Sequence, residues 1–240
     1  MGTNYQKAIG LTTRGQSAEQ FMVYWIIGYG RVGRRALTRL RHKSPEAVFT
    51  VVDPRLSRPP EKMKNVRWHR QDGVAFLMDH HPEMTTDPSP WIVPALPLHL
   101  AFEWVVARIR KTGSVSTIPV PTHLVAQLPN AVVGPDGQAY VSNADFICPV
   151  NCSEPDDNCP ATGQARPCDL YAFLGDLRIE DCRSVVVRSH QLAPGVGGYR
   201  GCQLEEALRA IQTRPGKVLL STASKCHGVV HALTLGMDKG

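Results

Sequence analysis

The residues best suited to chemistry in this 240-residue chain are its seven cysteines, all of which lie after residue 147. Four of them, Cys148, Cys152, Cys159 and Cys168, share one short segment rich in turn formers and poor in apolar residues. Core packing explains such thiols poorly, because a buried cysteine normally sits among apolar neighbours. The pattern favours metal ligation, with a redox dithiol or inert thiols as the alternatives.

The spacing of these cysteines bears on the kind of metal. Structural zinc usually shows paired knuckles with two to four intervening residues, and only Cys148 and Cys152 approach that pattern. Iron–sulfur ligands accept irregular spacing, neighbouring prolines and a remote fourth cysteine. We therefore predict an iron–sulfur cluster ahead of zinc, held by Cys148, Cys152 and Cys159. The candidates for the fourth ligand are Cys168, Cys202 and Cys226.

Cys226 and His227 follow a strand-like run at 217–222. The pair could ligate a metal or form an activated nucleophile. It could also be an ordinary end-of-strand pair, because adjacent strand residues point to opposite faces.

A second chemical motif lies near the N-terminus. An apolar strand at 22–27 leads into Gly28-Tyr29-Gly30-Arg31-Val32-Gly33, which a helical pattern and a strand at 47–52 follow. This order predicts a dinucleotide site: Gly28 for the turn, Gly30 for approach of the pyrophosphate, and Gly33 for helix–strand contact. The helix N-terminus would attract the phosphates.

Asp53 follows the second strand and can accept hydrogen bonds from both ribose hydroxyls of adenosine. A carboxylate there repels a 2′-phosphate, so NAD is predicted ahead of NADP. Arg55 and Arg58 leave NADP open, since either could bind that phosphate.

Strands and helices alternate onward, with strands predicted at 65–69, 91–93 and 114–119 and a helix over 99–111. This alternation predicts an α/β fold with a doubly wound parallel (Rossmann) sheet, in which 114–119 is the fifth strand.

A smaller cysteine-rich α/β part follows, so we predict domains at 1–125 and 126–240. There, a strand at 184–189 leads through a glycine loop at 194–198 to a helix; the loop is a plain turn or a phosphate site. His80 and His81 are expected in a solvent-facing loop.

The runs IIGYGRVGRRAL, VVD and QDG resemble the TrkA N-terminal (KTN or RCK) type of NAD-binding domain over about residues 22–120. The resemblance implies the fold, a bound nucleotide and an adenosine contact by Asp72. It does not extend to the cysteine-rich half.

The charge distribution and the length of the apolar runs bear on whether the protein binds nucleic acid or spans a membrane. The net charge is +6, and the 31–43 segment holds six Arg and Lys residues without an acidic one. Because this charge sits on the helix expected at the phosphates, nucleic acid is an unlikely partner. No run approaches the ~18 apolar residues of a membrane span. The apolar run ending at Ile27 enters a glycine motif rather than a cleavage site, so a cytoplasmic location is expected.

These features predict an NAD(H)-binding redox protein whose cysteine-ligated iron–sulfur or zinc site transfers electrons or senses redox state. A non-catalytic TrkA-like regulator of a transporter or another partner is the alternative. A dehydrogenase with structural zinc is a third, weaker hypothesis, with His99 and His123 as candidate acid–base groups. A redox or transporter protein and a second copy of the chain are the protein partners considered.

Overall fold

The fold is described from a computed structural model over residues 22–56, 63–156, 158–180 and 182–236. In the first half of the chain, strands and helices alternate much as the sequence predicts. Their bounds are β1 (Val23–Ile27), α1 (Arg31–Lys43), β2 (Val48–Val52), β3 (Val66–His69), α2 (Gly73–Asp79), α3 (His81–Met84), β4 (Trp91–Pro94), α4 (Leu100–Arg110) and β5 (Val115–Ile118).

The second half is mixed as well, with strands predominating. Its elements are α5 (Thr122–Val125), β6 (Val132–Val133), β7 (Ala139–Ser142), α6 (Leu170–Gly175), β8 (Cys182–Arg188), β9 (His190–Ala193), β10 (Val196–Arg200), α7 (Gly201–Gln212), β11 (Gly216–Ala223) and β12 (His227–Leu235). The structure is therefore of the mixed α/β class.

The first sheet has the order β3-β2-β1-β4-β10-β9 over the described residues. Neighbouring strands from β3 to β4 run parallel, whereas β10 pairs antiparallel with both β4 and β9. The four buried residues that end β1 and β2 explain why these strands are central, since a parallel sheet is covered on both faces. The sheet is thus only partly parallel.

The glycine segment at 194–198 is not a loop between a strand and a helix. It forms the turn of the β9–β10 hairpin and the start of β10, with Gly195 at φ +62°. A Cβ on Gly198 would lie 2.8 Å from the carbonyl oxygen of Ile92. The glycine is needed there because β10 lies tightly against β4.

The 114–119 segment does form a strand, β5, but the prediction that it is the fifth strand of the first sheet is wrong. It pairs antiparallel with β12 in the second sheet, whose main order is β6-β7-β12-β11-β8. Ser116 and Thr117 point to opposite faces and both are exposed, so β5 suits the edge of a sheet and not the interior of a parallel sheet. In the first sheet, β4 pairs with β1 on one side and with β10 on the other.

Helix α4 lies at the centre of the largest apolar cluster. Trp104 and Ile109 pack there with Ile92 of the first sheet and with Val187 and Leu220 of the second. The buried residues of α4 occupy more than one side of the helix: Leu100, Ala101, Phe102, Trp104, Val105, Val106 and Ile109. A helix buried on both sides connects the two sheets through one core.

Among the described residues, no helix has the length and apolar character that crossing a lipid bilayer requires.

Candidate functional site

The glycine turn after β1 is built so that two of its three motif glycines cannot carry a side chain. Gly28 has φ +104°, and a Cβ on it would lie 2.6 Å from the carbonyl oxygen of Ala95. A Cβ on Gly33 would overlap the carbonyl oxygen of Gly28. Gly30 differs, because no atom lies within 4 Å of the position its Cβ would take. Open space therefore lies over the middle of the turn.

Helix α1 starts at this open space. Gly30 is its N-cap and makes no side-chain cap, and the first turn holds no acidic residue. The first backbone N–H groups of a helix lack partners within the helix, and its dipole is positive at this end. Arg31, Arg34 and Arg35 add positive charge to the same turn, so the turn is suited to an anion such as a phosphate.

Asp53 fastens the glycine turn to the end of β2. Its carboxylate is 6% exposed and accepts the Tyr29 N–H at 2.7 Å and the Arg55 N–H at 2.8 Å. Each carboxylate oxygen has two lone-pair directions, so both retain capacity to accept a hydroxyl hydrogen. The Arg55 side chain is 86% exposed, with its Nε 3.9 Å from Asp53. Arg58 lies outside the described residues.

Asp72 has a structural partner of its own. One carboxylate oxygen accepts the N–H groups of Val74 and Ala75 at 2.9 and 3.0 Å, which caps the N-terminus of α2. A helix cap explains this residue without a ligand, and the adenosine contact remains a prediction.

His80 and His81 do not face solvent from a loop as expected. The His80 ring stacks on Phe76, with ring centroids 4.0 Å apart. The His81 Nε2 lies 2.6 Å from Oε1 of Glu205, a carboxylate that is 7% exposed. The predicted loop is replaced by the C-terminus of α2 and the short helix α3, so both rings turn towards the interior.

Four of the candidate metal ligands line one cavity. Its volume is about 460 Å³, and four of the predicted cysteines contribute to its walls: Cys148, Cys152, Cys159 and Cys226. Glu154 and Arg166 line it too, as do Val32 and Arg35 from the first two turns of α1. The glycine-motif helix and the cysteines therefore share a cavity, although they are more than one hundred residues apart in the chain.

Hydrogen bonds hold the cysteine segment against the first sheet and α1. The carbonyl oxygen of Cys152 accepts from Gln191 Nε2 at 2.6 Å and from the Gly195 N–H at 2.9 Å. Arg39 of α1 donates to the carbonyl oxygens of Val150 and Pro194. These contacts dock the segment on the β9–β10 turn.

Glu154, at φ +50°, also lines the cavity and hydrogen-bonds to the β11–β12 turn. Its carboxylate accepts the backbone N–H of Cys226 at 2.9 Å and the hydroxyl hydrogen of Ser224. The β11–β12 turn that carries Cys226 is thereby tied to the segment that carries Cys152.

Burial and mutual proximity act on these thiols. Burial, followed by the nearby Cys152 and Cys159 thiols, raises the pKa of Cys148. Burial and then Glu154 raise the pKa of Cys226 to about 11, against the opposing charge of Arg166. Cys159 differs, because hydrogen bonds from the backbone at Ala161 and Thr162 lower its pKa. A bound cation would relieve the unfavourable ionisation of the raised thiols.

The other cysteines lie elsewhere. Cys168 directs its Sγ to Asn143 Oδ1 at 3.7 Å, Cys202 is in the first turn of α7, and Cys182 begins β8. Over residues 22–56, 63–156, 158–180 and 182–236, no three His, Cys, Asp or Glu side chains are grouped closely enough to hold a metal ion. The four cavity thiols would have to converge on binding.

His99 is engaged internally. Its Nδ1 lies 3.0 Å from Nδ1 of His231 and its Nε2 lies 2.8 Å from Thr222 Oγ1, in a site where His99 is 7% exposed. Burial lowers the pKa of both histidines, so both rings are neutral near pH 7. His123 is exposed on α5.

Several site residues were missed by sequence reasoning. Glu154 and Arg166 stand inside the cysteine segment, so their positions were a usable signal. Arg39 and Gln191 carried no signal, because their roles depend on which loops meet.

Comparison with known proteins adds family information. A family model, AF_1314_C, described as the C-terminal domain of an uncharacterized protein, matches residues 101–236. An uncharacterized protein of Archaeoglobus fulgidus is 29% identical over 221 residues, which cover 87% of this chain and 97% of that protein. No solved structure gave a significant match.

Proposed function

The chain belongs to the AF_1314_C family, and from that premise we propose an NAD(H)-binding redox protein with a cysteine-ligated iron–sulfur or zinc centre. The family region, 101–236, contains every cysteine of the chain, whereas the glycine motif precedes it. The proposed protein therefore joins a nucleotide site to the part that defines the family.

The nucleotide half of the proposal rests on the turn at Gly28. In the parallel order β3-β2-β1-β4, strand β1 has β2 on one side and β4 on the other. The chain passes first from β1 to β2, and it forms β4 on the opposite side of β1 later in the sequence. The carboxyl ends of β1 and β4 are then a topological switch point, where doubly wound sheets bind their ligands. Gly30, with open space above it, and Asp53 lie at this end, which supports a Rossmann-type NAD site like that of TrkA N-terminal domains.

The observation that carries the redox half is the shared cavity. Val32 and Arg35 of the glycine-motif helix line the same space as Cys148, Cys152 and Cys226. A ligand at the start of α1 and a metal held by these thiols would therefore be neighbours. Such proximity suits either electron exchange or a metal state that alters nucleotide binding.

The electron count requires a further acceptor. Oxidation of NADH to NAD⁺ releases one proton and two electrons, whereas iron–sulfur clusters carry electrons singly. The proposal therefore includes a flavin, bound by this chain or by a partner protein, that accepts the hydride and releases its two electrons one at a time through the cluster to a one-electron acceptor. In this chain, the thiols and Arg166 would hold the centre, and Gly30 and Asp53 would hold the dinucleotide.

The test is the metal content and visible spectrum of anaerobically purified protein, recorded before and after NADH is added. We expect bound iron with an iron–sulfur absorption band that NADH bleaches when a flavin is supplied and that a one-electron acceptor then restores. Zinc instead of iron would make the cysteine site structural. Protein free of both metals would contradict the redox proposal.

Nucleotide binding is tested separately with Gly30→Val, which fills the open space over the turn. We expect NADH affinity to fall at least tenfold, about 1.4 kcal/mol. Thr38→Val, on the same helix with its hydroxyl bonded to the Arg34 carbonyl, is the matched control and should bind as the wild type does. Equal affinity in both variants would contradict the site.

A non-catalytic regulator resembling TrkA is the second candidate, and one surface favours it. Phe146, Ile147 and Val150 beside the cavity are exposed apolar side chains, Ile147 to 98%. Such a patch suits a protein partner, a transporter among them. Binding of NADH without any acceptor-dependent oxidation would favour this candidate over the enzyme.

A further inference from the structure

The spacing of the cysteines leaves the fourth metal ligand open, and the structure distinguishes the candidates. Cys148, Cys152 and Cys159 line the cavity together with Cys226, which reaches it from the β11–β12 turn. Cys168 is nearer in sequence, but it is not among the cavity-lining residues. The cavity lining thus includes the candidate that is distant in sequence and omits the one that is near in sequence.

Cys226 is tied to the segment that carries the other ligands. Glu154, two residues after Cys152, accepts the backbone N–H of Cys226 at 2.9 Å. The same carboxylate accepts the hydroxyl hydrogen of Ser224, so the turn and the cysteine segment are held as one unit. Among the described residues the thiols do not form a group that could hold a metal as they stand, so the β11–β12 turn and the cysteine segment would have to move together on binding.

Cys168 is next to two cavity-lining residues, Pro167 and Asn143, but its own thiol is hydrogen-bonded to Asn143 and does not line the cavity. Its carbonyl oxygen accepts from Asn143 Nδ2 at 2.8 Å, and its Sγ faces Oδ1 of the same side chain. Asp169, the N-cap of α6, follows Cys168, and the Leu170 N–H donates to the Lys225 carbonyl oxygen at 2.9 Å. Ligation of a metal by Cys168 would cost the hydrogen bond from its thiol to Asn143 Oδ1.

The cavity also supplies charge for a thiolate site. Four thiolates carry more negative charge than one divalent metal ion neutralises, so nearby cations stabilise the centre. Arg166 lines the cavity, and its Nη1 is buried without a hydrogen-bond partner among the described residues. Its free N–H groups are placed to donate to a ligating sulfur, as groups around metal ligands commonly do.

Resting on the function proposed above, we infer that the metal centre is held by Cys148, Cys152, Cys159 and Cys226, while Cys168 is not a ligand. The centre then connects the cysteine segment to the second sheet. Metal binding would draw the segment and the β11–β12 turn together beside the N-terminal turns of α1.

The test uses the full-length wild-type chain under anaerobic conditions, so that it does not depend on the folding of any variant. Metal-free protein is treated with Zn²⁺, or with Fe²⁺ and sulfide, and then pulsed with iodoacetamide; mass spectrometry gives the alkylation rate at each cysteine. We expect rates at least tenfold lower at Cys148, Cys152, Cys159 and Cys226. Cys168 should change less than twofold.

Metal stoichiometry in Cys226→Ser, with Cys168→Ser as the matched control, gives a second readout. The first variant should lose most of its metal and the second should retain it. Protection of Cys168 in place of Cys226, or full metal retention by Cys226→Ser, would overturn the ligand assignment while leaving the redox function intact. Absence of bound metal and of protection at every cysteine would overturn both.

Discussion

At the scale of single residues, two glycines of the motif that follows β1 are required for different reasons. Gly33 is required by the fold, because a Cβ there overlaps the Gly28 carbonyl oxygen. Gly30 is unconstrained by the protein itself, since nothing surrounds the position of its Cβ. A position that accepts a side chain sterically but carries glycine points to a ligand as the reason.

This difference predicts opposite phenotypes for two alanine variants. Gly33→Ala should lower the free energy of unfolding by about 1–3 kcal/mol, because the backbone must shift to admit the methyl group. Gly30→Ala should stay within about 1 kcal/mol of the wild type and yet bind NADH more weakly. Denaturant titration and NADH fluorescence titration measure the two effects. A Gly30→Ala protein with unchanged affinity would speak against the pyrophosphate position.

The buried histidine pair predicts a pH dependence of stability. Burial lowers the pKa of His99 and His231, whereas the unfolded chain takes up protons below about pH 6.5. The unfolded state then binds more protons, so stability is present above that pH and is lost as the pH falls through the window below it. Asp136, which raises the pKa of His231, opposes only part of this shift.

The measurement is the free energy of unfolding between pH 5 and 8, with a slope of up to about 1.4 kcal/mol per pH unit for each histidine that stays neutral. His231→Gln should flatten the profile below pH 6.5. His42→Gln, at an exposed position of α1, should leave it unchanged. Half-buried His69 and His190, with lowered pKa values, add a background slope that both variants retain. Parallel profiles for wild type and His231→Gln would refute the prediction.

At the scale of elements, helix α1 has two separate surfaces. Its first turn is open towards the proposed phosphates, and Arg39, further along, donates to the carbonyl oxygens of Val150 and Pro194. The sequence shows only that the helix is basic. In the structure, one of its basic side chains, Arg39, holds the cysteine segment in place. One element thus positions both halves of the proposed site.

Removing this tether should loosen the cysteine segment without unfolding the protein. Arg39→Ala is expected to speed amide hydrogen exchange across residues 148–156, because two backbone carbonyls lose their donor. Global stability should fall by less than about 1 kcal/mol, since the contacts are exposed. Arg110→Ala, at the end of α4, is the control and should leave this exchange unaltered. Unchanged exchange in Arg39→Ala would show that the other contacts suffice.

At the scale of the whole molecule, the two sheets share a core, and the order of the strands in the chain does not divide them cleanly between the two sheets. β5 joins the second sheet, while β9 and β10 return to the first. The cluster around α4 includes residues of both sheets, such as Trp25 and Val218. Cooperative unfolding of the entire chain is the expected consequence.

A fragment of residues 1–125, ending at the predicted domain boundary, tests this expectation. It lacks β9, β10 and the second-sheet residues that cover α4, so we expect it to unfold without a cooperative transition, whereas the full chain shows one. Far-UV circular dichroism with thermal or urea denaturation measures both. Cooperative unfolding of the fragment would establish residues 1–125 as an independent domain.

Local sequence patterns predicted the positions of helices and strands better than they predicted which strands pair with one another. The apolar runs of β1 and β2 and the periodicity of α1 and α4 depend on neighbouring residues, and these elements were confirmed. The short Gly134 to Gly137 segment, with a glycine at each end, forms the turn between β6 and β7. The prediction that β5 belongs to the first sheet was wrong, because the residues of a strand do not specify which sheet edge is free to pair with it.

For the candidate site, the sequence by itself determined the residue types: a glycine turn followed by a helix and an acidic residue, and a segment dense in thiols. These depend on spacings of a few residues, which backbone geometry translates directly into local structure. Only the tertiary structure decided that Cys226 shares the cavity and Cys168 does not, and that α1 lines it. The physical reason is that such neighbours are created by strand pairing and loop docking across the chain, which linear spacing does not encode.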